Sequence, residues 1–295
     1  MRVSSTSTRY HPQQSVLYPQ AGHRQTACMR NISLPQRSQS ILSSAAGWAQ
    51  EGRDAASGRG VSGMGNYSYN GGMSRLFAEA DYAALRAEMV ERQIRARGVS
   101  HARVLAAMNA VPRHCFVLGD YCASAYDDRP LPIGEGQTIS QPYMVAAMTA
   151  ALDPAPDARV LEVGTGSGYQ AAVLAHLAHD VITIERHPRL AARAQEILKA
   201  LGLANVRVVV GDGSLGYAEA QPYAGIMVTA AAPHVPETLR AQLALGGRLV
   251  IPVGSTGFQE LIVETRQARG FDREVREGCV FVPLIGAHGY PDRGR

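Results

Sequence analysis

Three glycines at alternate positions form the clearest candidate ligand site of this chain. Gly164, Gly166 and Gly168 follow an apolar segment at 159–163 and precede a segment with helical periodicity. Such a turn lets a ligand approach bare backbone at the start of a helix. A dinucleotide-binding turn has the spacing G-x-G-x-x-G, which requires glycine where this chain has Tyr169. The spacing therefore argues against hydride transfer from a dinucleotide.

Two carboxylates follow the turn at the ends of predicted strands. Glu185 ends the second strand, where an ionised carboxylate accepts hydrogen bonds from both hydroxyls of a ribose. Asp212 and Gly213 follow the third strand, where a carboxylate can accept from an adenine amino group. Each acid also has a plain interpretation, as a solvated acid at a strand end or an ordinary Asp-Gly turn. With the G-x-G-x-G spacing, which S-adenosylmethionine-dependent methyltransferases usually show, they favour methyl transfer over a purely structural turn.

The elements that must position these residues alternate along the chain. The pattern predicts strands at 159–163, 181–185, 206–210, 225–229 and 247–252, and helices near 168–178, 188–201 and 235–244. This alternation is typical of a parallel sheet covered on both faces. Segments 259–265 and 279–284 have no helix between them, so we expect an antiparallel hairpin at the sheet edge. Glu162, inside the first strand, either orients the glycine turn or is a structural acid.

Helices also precede the sheet. Apolar periodicity predicts one helix over 82–97, ending at Gly98, and a second that ends at Pro112. Residues 127–136 form a turn-rich loop, and a third helix begins after Ser140. A serine just before Gln-Pro is a natural helix N-cap, and spacing alone favours that role for Ser140.

Charge is distributed unevenly over the 295 residues. Residues 1–75 contain eight Arg against Glu51 and Asp54, a net charge of +6, so the remaining residues sum to −2 because the whole chain is +4. We therefore expect no nucleic-acid partner for the folded part. Residues 1–78 are predicted to be a disordered extension and residues 79–295 the folded domain. The extension resembles a transit peptide, but an irrelevant extension or a start codon read too far upstream (Met64 and Met73 follow) is favoured.

Hydropathy and cysteine content argue against a membrane-spanning protein, a cysteine-based metal site and a disulfide framework. The chain is 46% hydrophobic, and no apolar run reaches the roughly 18 residues of a membrane helix. The four cysteines (Cys28, Cys115, Cys122, Cys279) have neither C-x-x-C spacing nor a partnering His pattern. We therefore expect reduced thiols, no metal site and a cytoplasmic protein without a membrane partner, most simply a monomer.

The motifs of residues 82–286 resemble the protein-L-isoaspartate (D-aspartate) O-methyltransferase family. The most specific match is DRPLPIGEGQTISQPY at 128–143. Other matches, in the same order as in the family, are VLEVGTGSGYQAA at 160–172, VGDG at 210–213, VTAAAPHVP at 228–236, GGRLVIPVG at 246–254 and FVPL at 281–284. Two positions depart from the family pattern: Ala224 replaces an acid, and Val280 replaces an arginine that many bacterial members carry.

The resemblance implies a class I S-adenosylmethionine-dependent methyltransferase fold, a mostly parallel doubly wound sheet ending in an antiparallel hairpin. It implies a repair enzyme that methylates the α-carboxylate of L-isoaspartyl residues in damaged proteins, leading through a succinimide to aspartate. Ser140 matches the active-site residue. The matching cofactor residues are Thr138, Ile139, Gly164, Thr165, Gly166, Gly168, Glu185, Asp212, Gly213 and Gln259, and the substrate residues are Thr138, Ser140, Thr229 and His234.

Two alternatives remain open for the activity, and one for His234. The chain could methylate a carboxyl or hydroxyl group of a small molecule, or bind cofactor without turnover. His234, flanked by Pro233 and Pro236, is more typical of a structural residue than of a base. An α-carboxyl has a pKa of about 3.5 and is already ionised near neutrality, so no strong base is required.

Overall fold

The computed structural model describes residues 79–292, and it begins with a helical region. The predicted extension 1–78 lies outside this range. The region consists of helix α1 (Glu79–Glu88), a π-helical turn (Met89–Ile94), a 3-10 turn (Arg95–Arg97), helix α2 (Ala102–Ala110) and two further 3-10 turns (Arg113–Phe116 and Gly119–Ser124). Both predicted helices are confirmed, and Gly98 ends the first with a left-handed φ of +98°.

A small hairpin and a third helix follow. Strands β1 (Leu131–Gly134) and β2 (Gln137–Ile139) are antiparallel, and helix α3 spans Pro142–Leu152. The N-cap of α3 is Gln141, not Ser140, so the prediction of Ser140 as the cap is wrong. Pro142 has no N–H to cap, and the Tyr143 N–H is satisfied by Asp128 Oδ1 at 3.0 Å. The serine hydroxyl is therefore not needed by the helix.

Seven strands form the central sheet. They are β3 (Arg159–Val163), β4 (Asp180–Glu185), β5 (Val206–Val210), β6 (Tyr223–Val228), β7 (Leu243–Ser255), β8 (Phe258–Arg266) and β9 (Phe271–Cys279). Their spatial order is β5-β4-β3-β6-β7-β8-β9. The first five in this order are parallel, and β8 and β9 are antiparallel to their neighbours. The predicted doubly wound sheet with an antiparallel hairpin is confirmed.

The second strand of that hairpin lies elsewhere than predicted. It is β9, Phe271–Cys279, rather than 279–284. All but the ends of β9 are exposed, because it is an edge strand with one free side, so it lacks the apolar alternation that marks a half-buried strand. The apolar segment 281–284 instead crosses the end of the sheet, where Pro283 forms a parallel bridge with Ala231.

Helices cover both faces of the sheet and create its core. They are α4 (Tyr169–Ala175), α5 (Pro188–Ala200), a short α6 (Glu237–Ala241) and the N-terminal helices. Buried strand residues such as Leu161, Ile182 and Ile226 are fully enclosed. Connections leave β3 toward β4 on one side and β6 toward β7 on the other, so a crevice opens at the carboxyl ends of β3 and β6. Within residues 79–292, no helix combines the length and apolar character needed to cross a membrane.

Candidate active site

A cavity of about 770 Å³ occupies the crevice at the carboxyl ends of the parallel strands. Its size is in the usual range for small-molecule sites, roughly 300–1,000 Å³. Its walls include the β1–β2 turn with β2, the glycine turn, the end of β4 and a segment at 282–292, together with positions after β5, after β6 and at the β7–β8 turn. The position agrees with the rule that open α/β sheets bind ligands where the strand order reverses.

Most N–H groups of the glycine turn donate hydrogen bonds to acceptors of the protein itself. The N–H groups of Gly164 and Thr165 both donate to Ile184 O, at 2.8 and 3.1 Å, and Gly168 N–H donates to Thr165 O at 2.8 Å. Gly166 N–H donates to Glu185 Oε2 at 2.8 Å. A phosphate-binding turn needs N–H groups that point at the anion. This turn therefore fits a ligand without phosphate, as its spacing predicts.

All three glycines of the turn have a positive φ, and two of them also lie so close to a neighbouring side chain that a Cβ would crowd it. Gly164, Gly166 and Gly168 have φ values of +100°, +52° and +89°. A Cβ at Gly164 would overlap the Thr229 hydroxyl, and one at Gly168 would lie 3.1 Å from the Cβ of Ala194. The first contact joins β3 to the end of β6, and the second packs α4 against α5.

Glu185 lies at the floor of the cavity and binds the backbone on both sides. Its second oxygen, Oε1, accepts from His187 N–H at 2.9 Å. A carboxylate has about four lone-pair sites, so each oxygen still has capacity for a ligand hydroxyl. The side chain is buried but lines the cavity.

Glu162 is a fully buried acid behind the turn, at the inner end of a chain of hydroxyl groups. Thr183 Oγ1 donates to Glu162 Oε2 at 2.5 Å and contacts Thr165 Oγ1 at 2.6 Å. Burial raises the pKa of Glu162, the Thr183 hydrogen bond lowers it and the charge of Glu185 raises it, so that the pKa is about 8. Glu162 is therefore protonated near neutrality. Its Oε1 has no hydrogen-bond partner within the described residues.

The serine loop, Thr138–Ser140, meets the glycine turn at a second cavity of about 40 Å³. Ser140, Ile139, Glu162 and Tyr169 are among its walls. Thr138, Gly164, Gly166 and Thr229 line both cavities, so the two are adjacent. The Ser140 carbonyl accepts from Arg113 Nη2 at 2.7 Å.

Two other predicted site residues, Asp212 and Gln259, use their side chains to bind backbone groups of the protein. The Asp212 carboxylate accepts from Ser214 N–H and from Ala287 N–H, at 2.9 and 2.7 Å, and its neighbour Gly213 lines the cavity in its place. Burial would raise the pKa of Asp212, but these hydrogen bonds lower it overall. Gln259 Oε1 accepts from Phe281 N–H at 2.8 Å, away from the cavity. Their ligand contacts stay predictions.

Thr229 and His234 follow β6 but lie in different surroundings. Thr229 Oγ1 is 2.6 Å from Gly164 O, to which it donates, and the residue lines both cavities. His234 is exposed and is absent from the walls of either cavity. A substrate contact of His234 remains a prediction.

One segment that closes the cavity carries no motif from which it could be predicted. Its residues Tyr290, Pro291 and Asp292 line the cavity, and Asp292 forms an ion pair with Arg186 at 2.8 Å. The Tyr290 hydroxyl donates to Gly254 O. On the opposite side, Glu135 lines the cavity and pairs with Arg189 at 3.2 Å. Only their place beside the recognised motifs could have indicated these residues, because no pattern of their own marks them.

The fold and the site define a class I S-adenosylmethionine-dependent methyltransferase. The sheet order, the antiparallel hairpin, the glycine turn after β3 and the acid that ends β4 all agree with this class. Within residues 79–292, no group of three or more His, Cys, Asp or Glu side chains is arranged to hold a metal ion.

Comparisons with known proteins narrow the class to a family. The model of the protein-L-isoaspartate (D-aspartate) O-methyltransferase family matches residues 84–289. A Methanoregula boonei protein-L-isoaspartate O-methyltransferase is 54% identical over 205 residues, 70% of this chain and 94% of that protein. The Geobacter metallireducens relative is 53% identical over 206 residues, 70% of this chain and 95% of that protein.

A solved structure from Plasmodium falciparum, described as a protein-L-isoaspartate O-methyltransferase in complex with S-adenosyl-L-homocysteine, is similar in fold. It has a TM-score of 0.59 and 26% identity, and the match covers 68% of this chain and 98% of that one. The chain belongs to the protein-L-isoaspartate (D-aspartate) O-methyltransferase family. These are protein repair enzymes that use S-adenosylmethionine to methylate L-isoaspartyl residues.

Proposed function

We propose that the enzyme transfers the methyl group where the serine loop meets the glycine turn. The adjacency of the two cavities carries this proposal, because both share Thr138, Gly164 and Thr229 as walls. In our assignment the larger cavity takes the cofactor, and Ser140 faces the acceptor carboxylate.

The residues of the larger cavity suit S-adenosyl-L-methionine. Glu185 offers acceptor oxygens to ribose hydroxyls, and the engaged N–H groups of the turn offer no cradle for a phosphate. We assign to the cofactor Thr138, Ile139, Gly164, Thr165, Gly166, Gly168, Glu185, Asp212, Gly213 and Gln259, of which Asp212 and Gln259 act by fixing the neighbouring backbone. When bound, S-adenosyl-L-methionine supplies an electrophilic methyl group on a sulfonium.

The acceptor needs orientation rather than activation. An α-carboxylate with a pKa of about 3.5 is ionised at neutral pH, so no residue must remove a proton from it. Ser140 donates a hydrogen bond to one carboxylate oxygen and directs the other toward the methyl carbon. That oxygen would accept the methyl group that bound S-adenosyl-L-methionine would supply, with S-adenosyl-L-homocysteine as the leaving group. Alignment and exclusion of water supply the rate.

The flanking peptide is held by the segment after β6. We assign Thr229 and His234 to the substrate side, where the backbone of an extended peptide can lie along 229–234. The methyl ester can expel methanol, whereas the free carboxylate has no comparable leaving group. The next backbone nitrogen then loses its proton and attacks the ester carbonyl, methanol leaves and a succinimide closes, whose hydrolysis partly restores aspartate without further help from the enzyme.

Methyl transfer to matched peptides tests the function. We expect base-labile radiolabel on an L-isoaspartyl peptide and none on its aspartyl twin. Cofactor binding without label on either peptide would contradict repair methylation, and label on a small carboxylic acid alone would favour the small-molecule alternative.

Ser140→Ala tests the assigned active-site residue. We expect turnover to fall by about 10²-fold, because an orienting hydrogen bond is lost, with the Kd of S-adenosyl-L-homocysteine changed less than about twofold. Ser100→Ala, at an exposed serine outside both cavities, is the control. Unchanged turnover in Ser140→Ala would remove Ser140 from the mechanism.

We also propose a location, an oligomeric state and a set of partners for the enzyme. We assign it as a cytoplasmic monomer that acts on isoaspartyl proteins and peptides, without nucleic-acid or membrane partners. The net charge of −2 beyond residue 75 supports the absence of a nucleic-acid partner. Sedimentation equilibrium tests the monomer, and a mass twice that of the chain would contradict it.

A further inference from the structure

Arg113 carries a positive charge in the interior without a carboxylate partner among the described residues. Its side chain is 0% exposed. Nε donates to Ala125 O and Nη2 to Ser140 O, both at 2.7 Å. Nη1 makes no hydrogen bond within residues 79–292. A buried guanidinium is normally kept because an acid neutralises it, so this one needs another explanation.

The surroundings compensate only part of the cost of burying this charge. Burial lowers the pKa of Arg113, while Tyr169, Tyr126 and the carboxylate of Asp128, which makes no hydrogen bond to it, act in the opposite direction. The guanidinium carbon lies 4.8 Å from the centre of the Tyr169 ring. The nearby acid Asp128 is already bound by Arg97, at 2.5 Å, and by a backbone N–H.

Arg113 touches both of the segments that meet at the smaller cavity. Its Nη2 bond fixes the carbonyl of Ser140 in the serine loop. Its aromatic partner, Tyr169, is the first residue of α4, directly after the glycine turn. Ser140 and Tyr169 both line the smaller cavity. The charge of Arg113 is therefore separated from the smaller cavity, which we assign to the acceptor, only by residues that it contacts directly.

We infer that Arg113 is a positioning residue for the substrate carboxylate. It holds the Ser140 backbone in place, and its only partly compensated charge attracts the anionic acceptor into the smaller cavity. The inference rests on the proposed function, in which Ser140 faces that acceptor. A methionine has similar length and no charge, but it leaves the carbonyls of Ala125 and Ser140 without their donor. The test must therefore separate loss of the charge from loss of these two hydrogen bonds.

This inference is tested by removing the charge from the protein, from the ligand and from both, and by measuring the Kd in each case. The ligands are an L-isoaspartyl peptide and the same peptide with its α-carboxyl converted to a carboxamide, each titrated into full-length enzyme holding S-adenosyl-L-homocysteine. We expect wild type to prefer the carboxylate by about tenfold or more. Arg113→Met should reduce this preference to less than about threefold, and Arg113→Lys should keep most of it, because the charge remains.

The matched control is Arg103→Met. Arg103 also donates to backbone carbonyls, but these belong to Pro154 and Leu177, neither of which lines either cavity, whereas Arg113 holds the carbonyl of Ser140. We expect its carboxylate preference to equal that of wild type. Arg113→Gln, which is neutral and polar, takes the place of Arg113→Met in the cycle if the methionine variant does not fold.

The outcomes separate this inference from the role of Ser140. If Arg113→Met weakens both peptides equally, the arginine is only structural and the inference is wrong. If Ser140→Ala keeps full turnover while Arg113→Met loses the preference, the assigned role of the serine fails and that of the arginine stands. An unchanged preference in both neutral variants of Arg113 would also overturn the inference.

Discussion

The Glu185 carboxylate binds the protein's own backbone on both sides, so it arranges the turn as well as facing the cavity. Its oxygens accept from Gly166 and His187 N–H groups. We expect Glu185→Gln to raise the Kd of S-adenosyl-L-methionine by about 10- to 100-fold, because hydrogen bonds to charged groups are worth about 1.5–3 kcal/mol. Calorimetric titration measures this. Glu196→Gln, at an exposed position on α5, is the control, and equal Kd values in the two variants would count against the ribose assignment.

Glu162 predicts a dependence of stability on pH. Its pKa is raised to about 8 in the folded state, above the ordinary value of 4.5, so the folded state holds the proton more tightly. The resulting stabilisation is complete below about pH 4.5 and is lost as pH rises toward about 8. The loss reaches about 1.4 kcal/mol per pH unit.

Glu162→Gln removes this titration. In urea unfolding of the cofactor-free protein, we expect the free energy of unfolding of the variant, relative to wild type, to increase from pH 5 to pH 8. Subtracting wild type at each pH cancels other titrating groups, including His114, whose pKa burial lowers to about 4. A difference that stays constant with pH would show that Glu162 is ionised in the folded protein.

At the scale of elements, the glycine turn joins β3 to the end of β6. We expect Gly164→Ala to lower the free energy of unfolding by about 2–4 kcal/mol, because strain at φ +100° adds to overlap with the Thr229 hydroxyl. Gly98→Ala is a matched control with φ +98° and no atom within 4 Å of the added Cβ. It should cost only about 1–2 kcal/mol.

Denaturant unfolding of both variants gives the two values. Adding Thr229→Ala to Gly164→Ala should recover part of the loss, since it removes the overlapping hydroxyl. Equal costs at Gly98 and Gly164 would mean that the turn moves away from β6 without penalty.

Elements with their own apolar periodicity could be predicted from the sequence. Four of the five parallel strands (β3, β4, β6 and β7) and helices α4 and α5 carry buried residues that set their period, while β5 is a short valine-rich segment of intermediate burial. β9 could not be recognised, because an edge strand with polar, exposed residues leaves no alternation to detect. The capping of α3 could not be predicted, because the Tyr143 N–H is satisfied by Asp128, which lies in a preceding loop 15 residues away in sequence.

The site residues also divide into those that the sequence could predict and those that it could not. Residues inside contiguous motifs, such as Gly164 and Glu185, were identified and do line the cavity. Arg113 and Asp292 were not, because their importance comes from contacts with distant segments. Local pattern carries no information about which long-range partners a side chain meets.

At the scale of the whole molecule, residues 79–292 contain the sheet, both cavities and their walls. We propose that this part is the complete methyltransferase domain. Removing residues 1–78 should leave kcat/KM for an isoaspartyl peptide within about twofold of the full chain, because every wall of the cavities remains. Side-by-side kinetics of the two proteins measure this. A loss of tenfold or more would assign the extension a part in substrate binding.

The wall formed by residues 282–292 has a consequence for synthesis. The nine strands of residues 79–292 all precede this segment in the chain. The crevice is closed only when Tyr290 reaches Gly254 and Asp292 reaches Arg186. In the order of synthesis, the residues that close the cofactor cavity are therefore made after every strand that borders it.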